Sequence, residues 1–507
     1  MPVAYSDIPS DALLPLFYAE VTSAQEPVSQ NLRLCLIGAQ NRGVHEGYAV
    51  NDVPYILSGT LASDLFGRGS MLEWMYQEAR KNAPFAEIWG ISLPERDGAV
   101  RATCRLTVTR GGSSTNKGTG RMYIGGRQFL FTVNAGDSTA TIASRIASAI
   151  SNKFPLYVSN RTNNVITLAC KWAGGTGNNI RISHAGPRGR AEAQGAAYDL
   201  ARRTVTATQP SGGSGENSAA ATFPMIMNRP FDVFCVGESG TTFMAAAEDF
   251  MDGTSGRWSP YVQMYGHMVT TVIGSFQGCY DWAAIKNDPH ISALAVYKSI
   301  IPHWSWSAAL GAIMTQHWAA PPELSRPLQY LELKGMAVGD DDDESFTKIE
   351  RQQLLEQGMS TFHVDLGYTC RVDRVRTLRK NNLVGDPDPS WADAITMFQA
   401  QYLVRAMRAA ITGAYPRAAL SNAPTGINGF TSPTQIRNVI LHEYKRMEAL
   451  GLVENSSLFS QYLVVERDMI DPNRVNVLMR PDFVNQLRVV AVLVETHLEL
   501  SSSSMAA

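Results

Sequence analysis

The last apolar stretch of the chain alternates between two faces. Over residues 487–500 (LRVVAVLVETHLEL) the even positions stay mostly apolar, whereas the odd positions turn polar at Glu495, His497 and Glu499. A period of two predicts a β-strand that is buried first on both faces and then on one. Such a strand either closes a sheet of its own chain or adds to the sheet edge of a neighbouring chain.

A second isolated strand is predicted near the start of the chain. Residues 13–21 lie between two prolines, and Leu14, Leu16 and Tyr18 share one face of the alternating pattern. No helical pattern follows directly. This segment is either an ordinary first strand or, like the last one, an arm lent to a neighbour.

Between these ends the pattern predicts an α/β core that is interrupted once. The strand LRLCLIG, a helix opened by the capping signature Ser70–Glu73 and the strand AEIWGIS form a parallel βαβ unit. From about residue 95 to residue 215 short strands, Gly/Ser-rich loops and one helix near 139–152 replace this pattern. The apolar strand PFDVFCVG then restores it, so we interpret residues 95–215 as a β-rich insertion.

The last third of the chain carries clear start and stop signals. SFTKIERQQLLEQGM predicts a helix, and FHVDLGYTCRVDRVRTLRK predicts two strands. Ser432 and Pro433 open a further helix, and Gly451 stands where a helix would end. The aromatic residues around Trp304 are interpreted as core packing rather than as a ligand cage.

Composition excludes several classes of protein. The 44 basic and 46 acidic residues nearly cancel, so no bulk attraction to nucleic acid is expected. The six cysteines are scattered without a CxxC pair, which favours buried free thiols in a reducing compartment. We recognise no signal peptide, and the apolar run 489–494 is too short to cross a membrane. We therefore expect a soluble protein made inside the cell.

Catalytic and ligand-binding motifs are missing from the sequence. We find no GxSxG elbow, no HExxH motif and no phosphate-binding glycine loop, so no catalytic residue, metal or cofactor is predicted. The strongest charge feature is the basic run 371–380, which forms either a solvated sheet face or a charged contact surface. Its four arginines are Arg371, Arg374, Arg376 and Arg379.

Several stretches resemble one structural family. PLQYLELKGM, FTKIERQQLLEQGMSTFHVDLGYTCRVDRVRTL and the turn Gly385–Trp391 resemble the contractile tail sheath proteins. The opening DIPSDALLPLFYAEV and the run GSMLEWMYQEARKNAPFAEIWGISL are more specifically similar to sheaths of Mu-like phages. The resemblance covers most of the chain and is most specific over residues 328–415.

The resemblance implies an α/β (α+β mixed) multidomain subunit of a virion tail, assembled in the cytoplasm of a bacterial host. Stacked hexameric rings around a tail tube would contract and drive the tube through the cell envelope. The implied partners are further copies of the chain, the tail tube protein, and baseplate and tail terminator proteins, with no direct contact to nucleic acid and no membrane insertion. Two alternatives stay open: another ring-forming tail or injection-system component, and an α/β enzyme with an unrecognised site.

Carried onto this sequence, the resemblance predicts five segments: an N-terminal arm (1–30), a discontinuous α/β core (31–94 and 216–327), a peripheral insertion (95–215), a tube-facing C-terminal domain (328–485) and a strand-donating C-terminal arm (486–507). The residues predicted to donate strands between subunits are Leu14, Leu16, Tyr18, Val490, Val492, Val494 and Leu498. The predicted tube contacts are Arg371, Arg374, Arg376 and Arg379.

Overall fold

The computed structural model describes residues 32–41, 53–150, 152–186, 195–339, 345–382 and 384–496 of the 507. The predicted N-terminal arm, with Leu14, Leu16 and Tyr18, lies outside the described residues, as does Leu498 near the other end. The predicted mixed α/β fold is confirmed.

The described residues begin with a parallel βαβ unit. Its elements are β1 (Arg33–Gly38), β2 (Tyr55–Ile56), α1 (Leu61–Phe66), α2 (Met71–Asn82) and β3 (Glu87–Ser92). The Ser70 side chain accepts a hydrogen bond from the Glu73 amide at 3.1 Å, as the capping signature predicts. The Glu73 carboxylate accepts from the Gly69 amide instead of returning to Ser70, so the capping box is only half formed.

The described residues between 95 and 215 form two small antiparallel sheets and two α-helices. The elements are β4 (Thr103–Val108), β5 (Gly118–Ile124), β6 (Arg127–Val133), α3 (Thr139–Ala149), β7 (Leu156–Thr162), β8 (Val165–Cys170), β9 (Ile182–Ser183), α4 (Ala196–Thr204) and β10 (Val205–Ala207), with a short 3-10 turn at Gly175–Asn179. One sheet has the order β10-β4-β8-β7 and the other β6-β5-β9. Helix α3 matches the predicted helix, whereas α4 was not predicted.

The chain then returns to the first sheet. The elements are α5 (Thr222–Ile226), β11 (Val233–Val236), α6 (Thr241–Met251), β12 (His267–Ile273), α7 (Phe276–Ala284), β13 (Ile291–Val296) and α8 (His303–His317), followed by a 3-10 turn at Glu323–Ser325. The sheet order is β13-β12-β11-β1-β3-β2, with every pair parallel except β2–β3. Strands from both sides of residues 95–215 therefore share one sheet.

The remaining residues form helices and two-stranded sheets. The elements are α9 (Lys348–Glu356), β14 (Thr361–Val364), β15 (Cys370–Arg374), α10 (Ala394–Ala414), β16 (Ala419–Leu420), β17 (Phe430–Thr431), α11 (Pro433–Ala449), β18 (Val453–Glu454), α12 (Ser456–Tyr462), β19 (Val464–Arg467), β20 (Val475–Leu478) and β21 (Asp482–Phe483). The pairs are β14–β15, β16–β17, β18–β21 and β19–β20. Gly451 has φ +75° just after α11, the conformation expected of a glycine at a helix end.

Helix α8 lies in the centre of the molecule. It is buried over nearly its whole length, and a Cβ on Gly311 would stand 2.1 Å from Cys235 Sγ of β11. Only a glycine lets the helix approach the sheet this closely. Trp304 and Trp306 are fully buried, which confirms the interpretation of these aromatic residues as core packing. All six cysteines are buried free thiols, also as predicted.

The insertion is attached to the core by more than its two connecting segments. Trp172 of the insertion meets Trp304 edge to face with ring centroids 5.3 Å apart. The Arg127 guanidinium lies 3.7 Å from the centre of the Trp74 ring and pairs with Glu78 at 3.1 Å. Removing the insertion would therefore uncover large aromatic surfaces on α2 and α8.

A buried acid–amide contact fastens the segment that leaves the insertion. Asn217 donates from Nδ2 to Glu238 Oε1 at 2.9 Å, and both side chains are buried. Asn217 Oδ1 is also buried and has no hydrogen-bond partner among the described residues. Burial, opposed in part by the bond from Asn217 and assisted by the nearby Glu216, raises the pKa of Glu238 to about 8. A protonated Glu238 carries an O–H group suited to the unpartnered oxygen.

The Glu238 contact predicts an alkaline loss of stability. Because the folded-state pKa lies above the unfolded value, its contribution is complete below about pH 4.3 and is lost as pH rises through about 8. We expect Glu238→Gln, which stays neutral, to remove this slope and to exceed the free energy of unfolding of the wild type by several kcal/mol at pH 9, since each pH unit between the two pKa values contributes about 1.4 kcal/mol. Urea unfolding between pH 5 and 9 measures both. Glu238→Leu should be less stable than the glutamine variant at every pH, also without a slope, and parallel wild-type and glutamine profiles would contradict the assignment.

Candidate assembly surfaces

The described part of the C-terminal arm, residues 486–496, forms no strand within the chain. Between 487 and 496 its apolar side chains are exposed on both alternating faces, and no residue from 489 to 496 makes a hydrogen bond or ion pair with another described residue. The exposed fractions are Leu487 72%, Val489 80%, Val490 71%, Val492 75%, Leu493 85% and Val494 73%. In the single chain, this segment does not close a sheet of its own.

The start of the arm and the residue Val484 just before it are bonded to other parts of the C-terminal third. The Val484 amide donates to Leu452 O at 3.1 Å, and Gln329 donates from Nε2 to Leu487 O at 3.2 Å. Arg488 pairs with Asp393 at 3.4 Å. The arm is therefore anchored up to Arg488, and residues 489–496 make no polar contact with the rest of the described chain.

A hairpin in the same part of the chain has open edges. Strands β19 and β20 pair only with each other among the described residues, and Val464, Val477 and Leu478 on them are exposed by 38–50%. Its turn carries Met469 and Ile470 with side chains almost entirely in solvent. Backbone amides from Ile470 and Asp471 bind the Asp468 carboxylate at 2.8 Å each and, with Asn476, lower its pKa to about 2. The turn is thus well ordered although apolar.

The four arginines of the basic run do not form one charged face. Strand β15 ends at Arg374, so Arg376 and Arg379 lie beyond it. Three of the four pair with aspartates of the same chain: Arg371 with Asp365 at 2.7 Å, Arg374 with Asp393 at 2.7 Å, and Arg379 with Asp388 at 3.4 Å. Arg376 makes no ion pair with any described residue. Sequence reasoning recognised the cations but not the aspartates that neutralise them.

Asp393 connects the basic run to the arm. Its two oxygens accept from Nε and Nη2 of Arg374, each at 2.7 Å, in a bidentate pair, and Arg488 approaches the same carboxylate. Burial alone would raise the pKa of Asp393, but the bonds from Arg374 and the charge of Arg488 outweigh it and lower the pKa. Neither Asp393 nor Arg488 was predicted as a functional residue. Their signal in the sequence, single charges beside apolar runs, is common to many residues.

Neither a cluster of metal-binding side chains nor a membrane-spanning helix is present among the described residues. No group of three or more His, Cys, Asp or Glu side chains among them is placed to hold a metal ion. None of the helices in the described ranges combines the length and apolar character needed to cross a membrane.

Comparison with known proteins points to one family. Residues 386–497 match the phage tail sheath C-terminal domain family, a range that includes Asp393, the β19–β20 hairpin and most of the arm. The chain is 28% identical over 500 residues to the Mu-like prophage FluMu tail sheath protein of Haemophilus influenzae, covering 97% of this chain and 99% of that protein.

Two solved structures are similar at lower sequence identity. The sheath tail protein DSY3957 of Desulfitobacterium hafniense is 12% identical, with a TM-score of 0.46 over 92% of this chain and all of that one. The contracted helical sheath of the anti-feeding prophage is 8% identical, with a TM-score of 0.45 over 96% of this chain and all of that one.

The Asp393 carboxylate predicts an acid-sensitive contribution to stability. Because its folded-state pKa is depressed, the stabilisation is present above the unfolded value of about 4 and is lost as pH falls through the folded pKa. We expect Asp393→Asn to reduce the free energy of unfolding by about 2 kcal/mol at pH 7, since Arg374 and Arg488 lose their shared partner.

Urea unfolding of Asp393→Asn at pH 7 and pH 3 measures this loss, and the difference from the wild type should shrink at the lower pH. Asp386→Asn, an exposed site in the preceding loop, is the matched control and should change stability by less than about 0.5 kcal/mol. A pH-independent difference would show that the charge of Asp393 is not responsible.

Proposed function

This chain is a tail sheath protein of a contractile phage or injection system, and from that premise we propose that its copies form hexameric rings stacked around a tail tube. Contraction of the stack would drive the tube through a cell envelope and deliver the genome. The resemblance drawn from the sequence is confirmed. The relatives are structural sheath proteins rather than enzymes, so the enzyme alternative is set aside.

The observation that carries the proposal is the exposed apolar arm. Six large aliphatic side chains within eight residues stand in solvent, although burying each would contribute about 1.5–3 kcal/mol. An exposed contiguous apolar segment of this kind marks an interaction surface. Its alternating pattern and the absence of a partner strand in the described chain favour addition to a neighbour's sheet, with Val490, Val492, Val494 and Leu498 on the inserted face.

The β19–β20 hairpin is the acceptor we propose for the arm. It offers unpaired strand edges, apolar side chains for the arm to cover, and a turn held by Asp468. An arriving strand would satisfy backbone groups of both partners and bury apolar surface on each. Donation from every subunit to the next links a ring or a stack through many weak contacts that reinforce one another. We propose the same role for Leu14, Leu16 and Tyr18 at the other end.

The remaining partners follow from the same assembly. We propose that residues 328–485 face the tail tube, that residues 95–215 lie on the outside, and that baseplate and terminator proteins bind the two ends of the stack. Arg371, Arg374, Arg376 and Arg379 stay predicted tube contacts. In three of them, the guanidinium would have to contact the tube while it stays paired with an aspartate of its own chain. We place assembly in the host cytoplasm and the mature protein in the virion tail.

Removing the arm tests this function directly. A chain that ends after Arg488 keeps the Arg488–Asp393 pair, and the described residues that it loses, 489–496, have no polar partner in the described chain. We expect it to unfold at the same temperature as the full-length protein but to form no tubes. Negative-stain electron microscopy and sedimentation measure the assembly, and circular dichroism measures the unfolding.

A point variant sharpens the test. Val492→Asp would place a charge in the new sheet and should block tube formation, whereas Val492→Ile, the matched control, keeps the apolar strand and should assemble normally. Tubes formed by the truncated chain would rule out donation of the C-terminal arm.

A further inference from the structure

Arg376 differs from the other three arginines of the basic run. Each of those has an aspartate of its own chain as a partner, whereas the Arg376 guanidinium makes no ion pair and no side-chain hydrogen bond with any described residue. Its Nε atom is shielded from solvent and unpartnered. A half-buried cation without a partner is costly, and an external partner would remove that cost.

Arg376 lines a groove that contains more cations than free carboxylates. The groove has a volume of about 1070 Å³ and lies between the end of α7, the end of α9 and the loop that leads to α10. Its other lining cations include Arg374 and Lys380. Among the described residues, Glu356 is the one lining carboxylate outside an ion pair, and it accepts a hydrogen bond from Gln352 at 2.8 Å. Burial, and then repulsion from Arg374, lowers the pKa of Arg376. The groove is thus suited to an incoming negative charge.

The two aspartates that line the groove are already engaged. Both oxygens of Asp393 are taken by Arg374, and Arg488 lies close to the same group. Asp388 binds Arg379 and the amide of Ser390. Any carboxylate that serves Arg376 must therefore come from outside these pairs.

The arm carries a carboxylate that also lacks a partner in its own described chain. Glu495 follows directly after the apolar stretch of the arm, is exposed, and pairs with no described residue of its own chain. It stands seven residues beyond Arg488, about 23 Å along an extended strand. In the single chain the two groups do not meet, although each lacks a partner.

We propose that the Arg376 groove receives Glu495 from the arm of a neighbouring copy of this chain, and this partner would take the place of the tube contact predicted for Arg376. The inference rests on the proposed strand donation and adds to it an ion pair beyond the apolar strand, between Arg376 and Glu495, which we call the charged lock. The apolar residues would supply the attraction, while the Arg376–Glu495 pair would set how far the arm inserts, because a one-residue slip would turn Glu495 to the opposite face.

A charge-swap experiment tests the pair in the full-length chain. We expect Arg376→Glu and Glu495→Arg each to raise the protein concentration needed for tube formation about tenfold, because two like charges would then meet. The double variant Arg376→Glu/Glu495→Arg should return to within about threefold of the wild type. Sedimentation across a concentration series, with electron microscopy of the pellets, measures each value.

Mixing the two single variants shows whether the pair joins different copies. In an alternating assembly, each groove with the Arg376→Glu change meets an arm with the Glu495→Arg change, and each unchanged groove meets an unchanged arm. We therefore expect an equimolar mixture to form tubes at concentrations where neither variant does alone. Recovery by the double variant without recovery by the mixture would place the pair within one chain and overturn the proposal.

Two further results separate this inference from the proposed function. Arg408→Glu is the matched control, an exposed charge reversal on α10, and should assemble like the wild type. If truncation after Arg488 blocks tubes while the double variant fails to recover, donation stands and the charged lock is wrong. If Arg376→Glu assembles normally alone but fails around tube protein, the partner is the tube, and the lock is also wrong.

Discussion

The pairing of β1 with β11 is the contact on which the rest of the fold depends. It aligns Leu34 with Val233 and Ile37 with Val236, joining segments about two hundred residues apart. At its start, Asp232 accepts from the Arg33 amide at 2.8 Å and from Gln401 of α10 at 2.8 Å, and it also pairs with Arg405. One point therefore connects both halves of the sheet and the C-terminal third. The two ends of the insertion pair with each other through Val100 and Ser214, and helix α8 packs on strands from both halves of the sheet.

Local features of this architecture were readable from the sequence, and non-local ones were not. The apolar runs LRLCLIG and FDVFCVG predict buried strands, and Ser70 and Ser432 predict helix starts, because each signal lies within a few residues. The contact between Trp172 and Trp304 leaves no such signal, since the partners are distant in the chain and either would suit any core. The sequence therefore could not predict that the insertion packs against α8 in addition to being joined to the core by its two connecting segments.

At the candidate surfaces, too, the sequence predicts local features but not the partners that each segment has in the folded chain. The alternation over residues 487–500 predicts a strand, yet its described part forms none, because a strand needs a partner and the single chain provides none there. The basic run predicts a charged face, but Asp365, Asp388 and Asp393 neutralise three of its arginines. The sequence shows how many cations the run contains. The net charge of the folded surface also depends on the carboxylates that folding places beside them.

The sheet edges show where the chain completes itself and where it does not. The edge strand β13 is covered by its own chain, since the Ser360 amide donates to Ala293 O at 2.8 Å and the Leu378 amide donates to Ile291 O at 2.9 Å. Those bonds remove a free edge that would invite wrong pairing. The β19–β20 hairpin and the arm lack such cover among the described residues, and both carry exposed apolar side chains.

In the proposed assembly, this distribution would let each subunit turn while it stays linked to its neighbour. The arm is fixed at Arg488 by Asp393, and residues 489–496 make no polar contact with the described chain. A neighbour holding those residues would leave the few positions after Arg488 as the connection between two rigid bodies. Rotation about such a connection changes few packed contacts, whereas rotation at the bonds that cover β13 would break a sheet. In the proposed assembly, movement between subunits would therefore concentrate beside Asp393.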